Sequence, residues 1–114
     1  MAEMLGLDRA QASACIAQKL DWNRFAPLRF MMEPLCQAMV QSQVDYLHAC
    51  GALDDDGDSG DGEYDEDEAV EFILDALLSA FPCDEERAVQ YCALIDAFLP
   101  LFDDYLFSQG LLSL

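Results

Sequence analysis

AVEFILDALLSAF, residues 69–81, is the stretch that decides the fold class. Val70, Ile73, Leu74, Leu77, Leu78 and Phe81 recur at the three- and four-residue spacing that lays one apolar stripe along an α-helix. Ala69, Phe72, Ala76 and Ala80 add a second apolar strip beside the first, which leaves only Glu71, Asp75 and Ser79 for water. Such a helix is expected to be buried on most of its circumference. A small monomeric bundle rarely encloses a helix that fully, so the pattern also points to a further covering surface, from a second copy or a partner.

Working outward from it, Pro82 ends this third helix and Asp84 is placed to cap a fourth, with Glu85 and Glu86 in the first turn where the helix dipole favours negative charge. Ala88, Tyr91, Cys92, Ile95, Phe98, Leu99 and Phe102 carry its apolar face. Pro100 is expected to divide it from a short last helix near 101–109, which Gly110 stops. Towards the N-terminus, Asp8 with Gln11 three residues on resembles a capping box. Ala12, Cys15, Ile16 and Leu20 then repeat at helical spacing, giving helix one over about 8–20. Residues 22–27 break the pattern, and a second helical run follows from Leu28 to Cys50 with Gly51 as its C-terminal cap. Pro34 predicts a kink or a fresh start near 34. No period-2 alternation long enough for a strand occurs. The expected architecture is therefore an all-α helical bundle of four to five helices in a single domain spanning 1–114, with a long, acidic and flexible loop (51–67) between the second and third.

The chain has 114 residues, 54% of them hydrophobic, yet a net charge of −18. That hydrophobic content excludes general disorder, which needs low hydrophobicity as well as high charge. The charge is local. Residues 1–50 are nearly neutral at −1, residues 54–68 hold ten acids and no base, and residues 69–114 contribute −7. Five cysteines, an odd number without a C-x-x-C pair, read as buried free thiols in a reducing compartment. With neither a signal-peptide pattern nor eighteen uninterrupted apolar residues, the expectation is a cytoplasmic protein without membrane association.

Three readings compete for the acidic segment. As a calcium loop, its best register starts at Asp54 and continues through Asp56 and Asp58, but puts Ser59 where the sharp turn needs glycine, Asp61 where an aliphatic residue should enter the core, and Asp65 where a bidentate Glu closes the site. No metal site is therefore assigned, and no cofactor is expected. As a nucleic-acid mimic, fifteen extended residues span roughly 50 Å, one charge per roughly 5 Å, against one per about 3.4 Å on a single DNA strand. The segment alone is too sparse, and it would have to fold beside acids on the helices. As a hydrated linker, it would keep the apolar helix after it soluble.

Catalysis is not expected. His48 sits near a helix end, where a cation is stabilised by the dipole, and Cys50 two residues on faces another side. There is no nucleophile elbow, P-loop, dinucleotide fingerprint or His/Cys metal spacing. The function expected instead is that of a small acidic inhibitor, a homodimer that covers the basic surface of a nucleic-acid-handling protein and does not itself bind nucleic acid. Its contact residues would be Asp54, Asp55, Asp56, Asp58, Asp61, Glu63, Asp65, Glu66, Asp67, Glu68, Glu71 and Asp75. The alternatives are a helical chaperone or adaptor that receives an amphipathic segment of a partner on Met31, Met32, Met39 and Phe72, or a divalent-cation-responsive helix-loop-helix protein.

Overall fold

A cap, a break and a proline set out each helix in turn. The computed structural model describes residues 6–53 and 60–110. Helix α1 (Arg9–Lys19) starts at Asp8, whose side chain accepts the Gln11 N–H at 3.1 Å. Only half of the expected capping box forms, because the Gln11 side chain instead accepts from the Tyr105 hydroxyl at 3.2 Å. Trp22 closes the far end by donating its indole N–H to the Ala17 carbonyl at 2.7 Å. A 3-10 helix over Ala26–Met31 follows, with Pro27 in its first turn and Leu28 fully buried. It hands over to α2 (Met32–Ala49), where Pro34 occupies the opening turn and its missing N–H costs no intrahelical bond. The expected break thus falls just before the proline. Helix α3 runs Glu66–Ala80, and α4 runs Glu85–Ser108 with Asp84 accepting the Arg87 N–H at 3.0 Å.

The helices run up, down, up and down, each beside its neighbour in sequence, and α4 returns to pack on α1. The result measures 37 × 24 × 24 Å and contains no strand among the described residues. Ile16, Leu35, Met39, Ile73, Leu77, Leu94, Ile95, Phe98 and Phe102 form a continuous core with no solvent exposure. Tyr91 lies in the same core, and its hydroxyl donates to the Phe81 carbonyl at 3.1 Å, which fixes the tight turn between α3 and α4. None of the described helices is long and apolar enough to cross a membrane.

Three expectations are corrected. Helix α4 is continuous through Pro100 and does not divide there. Phe98 and Leu99 before the proline, and Phe102, Tyr105 and Leu106 after it, are all buried in one core, so packing holds both halves on one axis. Pro100 itself is exposed, as is Asp96, the residue whose carbonyl it fails to bond, and a helical bond is least costly to lose on the water side. Secondly, α3 is less enclosed than its composition implies. Ala69, Ile73 and Leu77 are buried, Val70, Leu74, Ala76 and Leu78 only partly, and Phe72 is 37% exposed. Thirdly, of the five free cysteines only Cys36 is fully buried, and its burial pushes the thiol up to about 12.

Replacing Pro100 by alanine restores the missing donor without touching the core. Pro100→Ala is expected to raise the urea-unfolding free energy by about 1–3 kcal/mol. An unchanged value would mean that the helix is interrupted there.

Candidate partner-binding surface

The acidic segment leaves α2 and enters α3 through a closed base. Gly51, at φ +83°, turns the chain out of α2 in the left-handed conformation that glycine adopts without strain. Leu53 N–H then donates to the Leu47 carbonyl at 3.0 Å, Gly60 N–H to the Ala52 carbonyl at 2.9 Å, and Gly62 N–H to the Gly51 carbonyl at 2.8 Å. The returning backbone passes so close that a Cβ on Gly62 would collide with the Cys50 carbonyl oxygen and the Gly51 backbone. Two glycines therefore cinch the two ends of the segment together. The described ends of the expected 51–67 loop are thus fixed in a neck, and its last two residues belong to α3, which begins at Glu66.

Beyond the neck an aromatic trio takes over. Tyr46 of α2 is buried, with its ring 5.7 Å from Tyr64 and 5.6 Å from Phe72 at angles of 73° and 58°. Its hydroxyl shares a proton between the Asp65 carbonyl at 3.1 Å and the Glu68 carboxylate at 3.2 Å. Tyr64 is held from the other side by Gln43, whose Nε2 donates to the Tyr64 hydroxyl at 3.0 Å. Burial is the main cause raising the Tyr64 hydroxyl above its ordinary value; the Gln43 bond opposes it, and Asp103 and Glu66 add to it.

Most of the expected contact residues are brought to this end of the bundle. Asp61, Glu63, Asp65, Glu66, Asp67, Glu68 and Glu71 are all exposed there, and Asp75 follows them exposed along α3. Asp65 has a structural duty as well, accepting the Asp67 and Glu68 N–H groups at 2.9 and 3.3 Å to cap α3. Asp54, Asp55, Asp56 and Asp58 lie outside the described residues. Asp103 and Asp104, from the far end of α4, join the group because α4 descends to the same end as α3 begins. The Asp103 side chain is exposed by area, yet enough protein surrounds its carboxyl to desolvate it in part, and Glu66 and Asp104 add repulsion. Both effects push its affinity for a proton up.

Four cations lie at the opposite end. Lys19 closes α1, Arg24 precedes the 3-10 helix, Arg29 lies in its last turn, and Arg87 sits in the first turn of α4. Arg9 donates to Gln41, halfway along α2. Among the described residues the acidic end holds no lysine or arginine, and no group of three or more His, Cys, Asp or Glu side chains there or elsewhere could hold a metal ion.

The apolar candidates are not brought together. Met39 is fully buried in the core and has no surface to offer; Met31 and Met32 are half-buried at the start of α2, whereas Phe72 lies towards the acidic end. Tyr46 and Tyr64 are the residues that sequence reasoning missed. A lone aromatic inside an acidic tract was the available signal for Tyr64. No family model matches the chain, and neither a curated protein nor a solved structure matches it.

Two measurements follow from this geometry. Gly62→Ala forces the neck apart and is expected to cost about 1–3 kcal/mol in chemical denaturation. A neutral substitution would mean that the two backbone segments do not meet. Asp103, with a folded pKa above its ordinary 3.8, binds a proton more readily folded than unfolded, so its unfavourable contribution at neutral pH begins to fade as pH falls through the folded value and is gone below the ordinary one. Asp103→Asn is therefore expected to melt above the wild type at neutral pH. The gap should close as pH approaches the ordinary value.

Proposed function

We propose that this chain binds a protein partner through a basic surface, laying its carboxylate end over the cationic site of a nucleic-acid-handling protein and blocking it. The observation that carries this reading is the separation of charge along the bundle axis. The carboxylates of Asp61, Glu63, Glu66, Asp67, Glu71, Asp103 and Asp104 stand exposed at one end without a lysine or arginine among them, and Lys19, Arg24, Arg29 and Arg87 stand at the other, where they nearly balance Asp21, Glu33, Asp84, Glu85 and Glu86.

The neck supports it further. An extended acidic tract is too dilute in charge to rival a nucleic acid. Closing its ends and setting the first turn of α3 and the last turns of α4 beside them packs carboxylates from three chain segments into one region. Asp103 is pushed up chiefly by desolvation, and Glu66 and Asp104 add to it a repulsion that a cationic partner would relieve. Such a field reaches about a Debye length, ~8 Å at physiological salt, and accelerates encounter with a basic partner. The same charge repels nucleic acid itself. In the expected homodimer a second copy would cover exposed side chains such as Val89 and Phe107, and a light-scattering mass of twice that of the chain is the result that supports it.

A nonalysine peptide provides a partner-independent probe. Its affinity is expected to fall roughly tenfold or more between about 50 and 500 mM salt. Neutralising Glu66, Asp67 and Glu71 as amides should weaken it more than neutralising Asp21, Glu85 and Glu86. Binding that persists near 1 M salt, or that responds equally to both sets, overturns the reading.

A further inference from the structure

We infer that Tyr64 and Phe72, propped on Tyr46 and edged by Glu68 and Asp75, form a seat for arginine side chains of the partner, so that the acidic end selects arginine-rich over lysine-rich segments. The inference rests on the proposed function and deepens it by naming the contact.

Three observations carry it. Tyr64 is 43% exposed and Phe72 is 37% exposed, and both lean on Tyr46 at steep angles, which leaves ring surface open on the sides away from it. Apolar area of this kind is costly to leave in water beside a field of carboxylates, which attracts cations. Glu68 and Asp75 lie four residues before and three after Phe72, on the same helical face, and Glu68 is tied to the Tyr46 hydroxyl at 3.2 Å. The carboxylates therefore border the rings and can pair with a group lying on them. A guanidinium meets both demands, because it is weakly hydrated, flat enough to lie on a ring, and forked to bond a carboxylate at the ring's edge. An ammonium keeps its water and gains less from the ring.

The chain uses the same chemistry at its other end. The Arg24 guanidinium lies 5.0 Å from the centre of the Phe25 ring, and that of Arg87 lies 5.6 Å from the centre of Phe30. Among the described residues no such cation covers Tyr64 or Phe72. Beneath Tyr64, moreover, the Gln43 amide is 2% exposed and its Oε1 has no partner, an acceptor left open beside the seat. An N–H group arriving with a partner would satisfy it if Tyr64 shifted.

Nonaarginine and nonalysine peptides, matched in length and charge, test the inference by calorimetric titration at about 150 mM salt. The wild type is expected to bind nonaarginine roughly fivefold or more tighter. In Tyr64→Leu/Phe72→Leu, which keeps apolar bulk but removes both rings, the ratio should fall towards one while nonalysine binding is retained. Tyr64→Phe should keep the preference, and Phe72→Leu alone, which leaves the Tyr64–Gln43 bond in place, should reduce it even if the double variant does not fold. Equal affinities in the wild type, or a preference that survives loss of the rings, overturn the seat and leave the acidic-end reading standing. Failure of both peptides to bind at about 50 mM salt overturns both.

Discussion

The backbone crossing of Gly51 and Gly62 is the constraint on which the acidic end depends. A tract with ten carboxylates repels itself and would hold the end of α2 apart from the start of α3. Two side-chain-free residues let the two segments touch, and the hydrogen bonds from Gly60 and Gly62 to Ala52 and Gly51 secure the contact. Once the neck is shut, Tyr64 reaches Gln43 and Tyr46, Asp65 is placed to cap α3, and Phe72 completes the aromatic trio. The antiparallel pairing of α2 and α3 continues upward from there.

Local signals were legible in the sequence. The caps at Asp8 and Asp84, the left-handed stop at Gly51 and the apolar stripe of α3 depend on residues within a turn or two of each other, and each is found where its pattern places it. Pro100 misled because its penalty is local and the compensation is not: Phe98 on one side and Phe102 on the other are held in the same core. The enclosure of α3 was overestimated for a related reason. Hydrophobic composition says how much surface a helix would bury, but the number of neighbours decides how much it does, and α3 has only α2 and α4 beside it.

Of the candidate surface, the acids of the tract were readable as a run, and the gathering of Asp103 and Asp104 beside them at one end was not. Asp103 and Asp104 lie far from the acidic tract in sequence and join it only because α4 descends beside α3. Tyr46 and Tyr64 meet across eighteen positions of chain, a distance at which no periodicity signals a pair. The same topology sent four of the five lysine and arginine side chains to the other end, so a chain strongly acidic in total becomes a molecule with a nearly balanced pole and an anionic one.

The order of the helices also bears on how the molecule assembles. Each helix packs on the one before it: the turn between α3 and α4 is short and closes at little cost in chain entropy, whereas α1 with α2 and α2 with α3 close longer connections, the latter through the acidic segment. One association is of another kind. The return of α4 to α1, marked by the Tyr105 bond to Gln11 across 94 positions, joins the two ends of the chain. Topologies dominated by near neighbours fold quickly, in microseconds to milliseconds. The seam between the first and last helices therefore carries the largest loop-closure cost in the molecule.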